Sequence, residues 1–162
     1  MQRSIVVKKV NYLDLADRQA LLAVLDMYAR DPMGGGEPLA DEVKARLCDD
    51  LAHVPGAVSW LAWLEQQPIG LLNALPGYST FKARPLMNVH DIAVDPEQRG
   101  KGVGQALLKA LEEYAQQLGC CKLTLEVLSG NSVAKQSYAR FGFEQYELSA
   151  STGQALFMQK WL

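Results

Sequence analysis

The chain has no surplus of positive charge, no long apolar run and few of the residues that hold metals. Its 162 residues carry 16 Lys and Arg against 18 Asp and Glu, a formal net charge of −2. A nucleic-acid partner usually goes with a basic surplus, so none is expected. No stretch approaches the roughly 18 apolar residues that a spanning helix needs, so no membrane segment is expected either. The first residues, M-Q-R-S-I-V-V-K-K-V, lack the apolar core and small-residue cleavage site of a secretory leader. Two histidines, His53 and His90, are too few and too scattered for a typical metal site, and no metal is expected. The cysteines, Cys48, Cys120 and Cys121, are odd in number and include no C-x-x-C pair. A reduced, cytoplasmic protein is the plain expectation. Repeats, low-complexity tracts and interdomain linkers are also missing. The length suits one domain over residues 1–162 with a sizeable core.

What is present is a stretch from Asn88 to Leu118 around which the rest is arranged. Val89 to Val94 is a β-branched apolar run and predicts a strand. Asp95-Pro96 ends it, because proline has no amide proton for a ladder. Arg99-Gly100-Lys101-Gly102-Val103-Gly104 follows and opens into a helical stripe at Val103, Leu107, Leu111, Ala115 and Leu118. A glycine-rich turn entering a helix leaves several N–H groups unpaired and pointing one way. With the positive end of the helix dipole they suit a phosphate. Three phosphate ligands compete. A P-loop needs G-x-x-x-x-G-K-[ST], and Gly100-Lys101 is followed by Gly102, so that reading fails. A Rossmann-type nucleotide site fits Gly100 and Gly102, with Glu126 at a ribose-like distance, but its third glycine is Gln105. A pyrophosphate turn of the form [RQ]-x-x-G-x-[GA] is matched by Arg99, Gly102 and Gly104.

Two separated segments, Ile92 to Leu108 (I-A-V-D-P-E-Q-R-G-K-G-V-G-Q-A-L-L) and Asn131 to Phe143 (N-S-V-A-K-Q-S-Y-A-R-F-G-F), resemble the GNAT superfamily of N-acetyltransferases. The segment from Asn131 is similar to the family's N-x-x-A-x-x-x-Y-x-x-x-G-F signature. The resemblance is close over roughly residues 86 to 145. It implies an α/β fold with a mixed central sheet flanked by helices, in the order β-α-α-β-β-β-α-β-α-β-β, and acetyl-CoA as co-substrate.

The remaining pattern fits that order. A strand is expected over Ser4–Val10 and a helix over Asp14–Arg30, with Leu15, Leu21, Leu22, Leu25, Met27 and Tyr28 along it. Residues 31–38, rich in glycine and proline, read as a loop, either a plain connector or a lining of the acceptor site. A second helix is expected over Leu39–Leu51, with Val43 and Leu47 inward. A hairpin follows, Val58–Leu64 and Ile69–Leu75 about a turn at 65–68, then a long connection over 76–85. There Tyr78 and Phe81 either line an acceptor site or cap the core. Lys122–Leu128 reads as a strand, Asn131–Arg140 as a short helix, and Glu144–Leu148 with Gln154–Trp161 as two closing strands.

In an acetyl transfer an amine attacks a thioester. A free alkyl ammonium has a pKa near 10, so something must take its proton. An oxyanion then needs an N–H donor, and the departing thiolate needs a proton. The resemblance assigns these parts. Ile92, Ala93 and Val94 would offer backbone groups to the pantetheine arm, and an amide at or beside Val94 would hold the oxyanion. Arg99, Gly100, Lys101, Gly102, Val103, Gly104 and Gln105 would hold the pyrophosphate, chiefly through main-chain N–H groups, with the Arg99 and Lys101 charges adding to them. Asn131 would lie near the cofactor arm, and Tyr138, also cofactor-binding, would be the acid that protonates sulfur. The base varies within the family. Strand period sets Asn88, His90, Ile92 and Val94 on one face and Val89, Asp91 and Ala93 on the other. His90 is the first candidate base, since an imidazole titrates near pH 6.5 when unperturbed. Asp91, Glu126 or a water relay are the alternatives. The acceptor is expected to be a small, possibly cationic amine or a protein amine, and a homodimer fits similar proteins. A CoA-binding module without catalysis is the alternative function.

Overall fold

The computed structural model describes residues 4–162; the first three, part of the stretch read for a leader, lie outside it. The chain divides into two compact units, one ending at Leu125 and the other running from Glu126 to Leu162.

The first unit is built on a five-stranded sheet: β1 (Ile5–Lys9), β2 (Val58–Leu64), β3 (Gln67–Ser79), β4 (Arg84–Val94) and β5 (Leu123–Leu125), adjacent in that order. The first four are antiparallel neighbours and β5 runs parallel to β4, so the sheet is mixed as expected. Three helices accompany it, α1 (Leu15–Arg30), α2 (Asp41–His53) and α3 (Val103–Gln117). Leu71 and Leu61 pack with Leu21, Val24 and Leu25 of α1 and Cys48 of α2. Side chains alternate along a strand, so Gly70 and Leu72 face the other way. There a Cβ on Gly70 would stand 2.8 Å from Val103 of α3. Helices therefore cover both faces of the sheet. That explains why the consecutive residues Leu71 and Leu72 are both buried.

Several boundaries differ from those the sequence suggests. The hairpin turn is Glu65-Gln66, with Glu65 at φ 58°, so Gln67 and Pro68 already belong to β3. The expected long connection over 76–85 is mostly strand, because β3 runs to Ser79 and β4 starts at Arg84. Tyr78 and Phe81 are exposed, Phe81 at 92%, so neither caps the core. On α1 the inward stripe is Ala20, Leu21, Val24, Leu25 and Ala29, while Leu15 is exposed. On α2 the buried residue is Cys48, and Val43 faces out. Leu118, expected to end the α3 stripe, is half exposed, and the helix stops before Gly119 at φ 71°.

The second unit holds α4 (Ser132–Phe141). Asn131 caps its start by accepting from the Ala134 amide at 3.1 Å, and left-handed Gly142 ends it. The two closing strands expected at 144–148 and 154–161 are reduced to one antiparallel bridge, Glu147 with Gln154. Hydrogen bonds within the Ser149–Thr152 turn hold that corner.

Candidate functional site

The turn after β4 has the geometry of an anion cradle. Asp95 donates its amide to the Ile69 carbonyl at 2.9 Å, closing β4 against β3, and its carboxylate accepts from Glu97 N–H. A short 3-10 turn, Pro96–Gln98, leads to Arg99. Gly100 and Gly102 then take left-handed backbone at φ 77° and 86°, and a Cβ on either would meet nothing within 4 Å. These glycines are there for the bend and for an open approach, not for packing. The first helical bond of α3 runs from Ala106 N–H to Gly102 O. The amides from Gly100 to Gly104 have no main-chain acceptor among the described residues. They sit at the positive end of a 15-residue helix, where an anion is favoured.

The side chains of that turn are less available than the sequence suggests. Arg99 donates from Nη2 to Asp31 Oδ2 at 2.9 Å and from Nε to the Val94 carbonyl at 3.3 Å. The Arg99 hydrogen bond, with the Met33 amide second, holds the Asp31 carboxyl below its ordinary range. Lys101 is turned to Gln98 Oε1 at 3.1 Å. Arg99 thus joins the turn to the start of the 31–38 loop, a contact across 68 positions that no motif announces.

β4 is irregular at its centre. Asn73 of β3 lies opposite Asp91, but Ala74 lies opposite Val89, so His90 is an extra residue in a β-bulge. The bulge overturns the simple alternation. Asn88 pairs with Leu75 and Asp91 with Asn73, which are two apart on β3 and so share a face. Asn88 and Asp91 therefore lie on one face, and Ile92 and Val94 on the other, where a Cβ on Gly104 would touch Val94 at 3.9 Å. His90 is exposed. Pairing of β4 with β5 covers only Met87–Val89 with Leu123–Leu125. β5 ends at Leu125, so it does not pair with β4 beyond Val89, and on that side the β4 edge from His90 to Val94 has no ladder partner in this unit.

Asp91 is the end of a hydrogen-bonded row that sequence reasoning misses. Tyr12 Oη meets Ser59 Oγ at 2.7 Å, Ser59 Oγ donates to Asn73 Oδ1 at 2.6 Å, and Asn73 Nδ2 donates to Asp91 Oδ2 at 3.0 Å. Ser59 and Asn73 are the buried polar residues among the otherwise apolar core. A polar residue in the middle of S-W-L-A-W-L or G-L-L-N-A-L is the available signal. Burial pushes the Tyr12 hydroxyl above its usual pKa, against the Ser59 hydrogen bond. Burial likewise raises Tyr28, and the charges of Asp91 and Asp31 add to it.

Asn131 and Tyr138 lie in the second unit. Asn131 is the α4 cap described above. Tyr138 stands in the last turns of α4, edge-on to Phe143 with ring centres 6.0 Å apart, and its carbonyl accepts from the Gly142 and Phe143 amides. Among the described residues no group of three or more His, Cys, Asp or Glu could hold a metal ion, and no helix is long and apolar enough to cross a membrane.

Comparison with known proteins gives a consistent picture. The family model described as "Acetyltransferase (GNAT) family" matches residues 21–143. The chain is 42% identical over 65 residues to thialysine N-epsilon-acetyltransferase of Bos taurus, covering 40% of this chain and 38% of that one. It is 36% identical over 93 residues to streptothricin acetyltransferase of Streptomyces lavendulae, covering 52% and 48%. The chain thus spans less than half the length of these two relatives. Among solved structures, an aminoglycoside acetyltransferase from an uncultured soil metagenomic sample superposes with a TM-score of 0.78 at 17% identity, over 98% of this chain and 96% of that one. An aminoglycoside N-acetyltransferase in complex with CoA superposes at 0.74 with 18% identity, over 99% and 97%. At these identities the structural matches speak for the fold.

Proposed function

The chain belongs to the GNAT acetyltransferase family, and on that premise we propose that it works as one catalytic domain moving an acetyl group from acetyl-CoA to a primary amine, by direct attack in a ternary complex. The observation that carries the reading is the row of uncommitted amides from Gly100 to Gly104 at the start of α3, next to a β4 edge that β5 does not reach. The amides suit a diphosphate, and an extended edge suits a pantetheine arm, whose own amides can complete the ladder. Since Arg99 and Lys101 have partners in the fold, the main chain does most of the holding.

In the reaction the amine nitrogen attacks the thioester carbon and the C–S bond breaks. The charge on the carbonyl oxygen is met by an amide at or beside Val94. His90, exposed at the bulge, takes the proton from nitrogen. Tyr138 supplies the proton to the leaving sulfur, a phenol being reasonably matched to a thiolate. The products are an amide and free CoA, and no covalent enzyme intermediate is needed. Ile92, Ala93 and Val94 bind the pantetheine arm, and Asn131 lies near it. The acceptor is a small amine, as the names of several relatives indicate for those proteins.

Release of free thiol from acetyl-CoA, measured across a panel of alkyl, polyamine, aminoglycoside and arylamine acceptors, tests the proposal. Amine-dependent thiol release is the expected result. Saturable CoA binding with no thiol release from any amine would mean a binding module instead.

A further inference from the structure

The hydrogen bonds ending on Asp91 form a row that runs in one direction. Ser59 has a single hydroxyl proton, and it goes to Asn73 Oδ1. Its oxygen must therefore accept from Tyr12, which donates. The bond into Oδ1 also fixes which end of the Asn73 amide faces which way, so its NH2 is aimed at Asp91 Oδ2. That bond uses Asp91 as an acceptor. The row starts at the foot of α1 and crosses β2 and β3 to the bulge of β4. Each polar group along it is satisfied only if the next is in place.

Asp91 itself is left incomplete. It is half-buried, it has the one hydrogen bond from Asn73, and it has no ion pair among the described residues. The other carboxylate whose charge reaches Tyr28, Asp31, is already matched by Arg99. A carboxylate with one such hydrogen bond and no countercharge keeps oxygen lone pairs with which to accept from a cationic ligand. Asp91 also sits one residue from His90 and three from Val94, beside the β4 edge assigned to the acyl group.

We propose that Tyr12, Ser59 and Asn73 are positioning residues that hold Asp91 as the receptor for the positive charge of the acceptor, so that the site takes amines that arrive as ammonium ions. This deepens the N-acetyltransferase reading and rests on it. Asp91 Oδ1 accepts one N–H of the ammonium and orients the nitrogen, while proton removal stays with the base.

The test uses the full chain with acetyl-CoA and two acceptors of similar size. 2-Phenylethylamine is cationic at neutral pH, and 4-methoxyaniline is uncharged. The reported quantity is the ratio of kcat/KM for the alkylamine to that for the arylamine. Asp91→Asn is expected to lower that ratio by about tenfold or more, the scale of a charge-assisted hydrogen bond. Asn73→Ala is expected to act in the same direction, and Tyr12→Phe, which deletes the far end of the row and disturbs the fold least, by roughly threefold. Ser59→Ala should lower it and Ser59→Thr, which keeps the hydroxyl, should restore it. Variants that slow both amines equally, or that fail through KM for acetyl-CoA alone, would make the row a structural feature only and overturn the inference. Wild-type protein active on the arylamine but not on the alkylamine would overturn it too, with acyl transfer left standing. Wild-type protein acetylating neither these nor any amine of the wider panel would remove both.

Discussion

Replacing Gly70 with alanine should disturb the anion cradle by pushing on the first turns of α3. Gly70 lies opposite Val94 in the β3–β4 ladder. A Cβ there would stand 2.8 Å from Val103 Cγ1, 3.1 Å from Leu107 Cδ1 and 3.2 Å from the Ala93 carbonyl oxygen. Its φ is not positive, so alanine brings no backbone strain and the whole cost is steric. Two of the three contacts are ends of side chains, but both belong to residues that are 0–1% exposed and cannot step aside. One excess methyl in such a place costs about 1–3 kcal/mol. The cheapest relief is to lift the first turn of α3, where the amides of Val103 and Gly104 complete the cradle. Gly70→Ala should therefore lower stability in urea by about 1–3 kcal/mol and weaken CoA binding in calorimetry by roughly tenfold if α3 lifts. Val103→Ala should rescue much of both losses in the double variant, a coupling expected of touching residues. Native stability and native CoA affinity in Gly70→Ala, or additive losses in the double variant, would refute the reasoning.

Tyr138→Phe should lower kcat at least about tenfold while acetyl-CoA still binds, because only the transferable proton is removed; unchanged turnover would refute its role as acid. For His90→Ala the acidic limb of the pH–rate profile should vanish or shift, and a limb that survives in place would show that another group is the base. Gly102→Ala should cost about 1–2 kcal/mol of stability from left-handed backbone alone, since its Cβ has open space, and should weaken CoA further by standing where phosphate oxygens approach. Asp26 accepts from Arg30 and the Leu39 amide and pairs with Lys44, which holds its pKa down to about 2. A depressed carboxyl contributes stability above its unfolded value that is lost as pH falls toward about 2. The melting temperature should therefore fall between about pH 4 and pH 2, and Asp26→Asn should flatten that slope.

The strand, glycine turn and helix from residue 88 to 118 are legible because each part has a local cause: β-branched residues, a proline stop, glycines where φ turns positive, and a stripe of period 3.6. The order of helices and strands through α4 is legible for the same reason. The bulge at His90 is not, because one extra residue in a strand leaves no mark in an apolar pattern, yet it puts Asn88 instead of Val89 on the face of Asp91. The row from Tyr12 to Asp91 joins four segments far apart in sequence, and only the odd polar residues inside β2 and β3 hint at it. The motif marks Arg99 as a phosphate ligand, whereas its engagement with Asp31 depends on the path of a loop that composition cannot trace. Alternation suggests two closing strands, but without a ladder partner along their length it leaves only one bridge.

The tie between Arg99 and Asp31 has a practical consequence for anyone redesigning this protein. Exchanging the segment after α1 would strip the arginine of its mate and unsettle the carbonyl it also clasps at Val94. The loop and the glycine turn share one fastener, and a graft that omits the aspartate would disturb both at once.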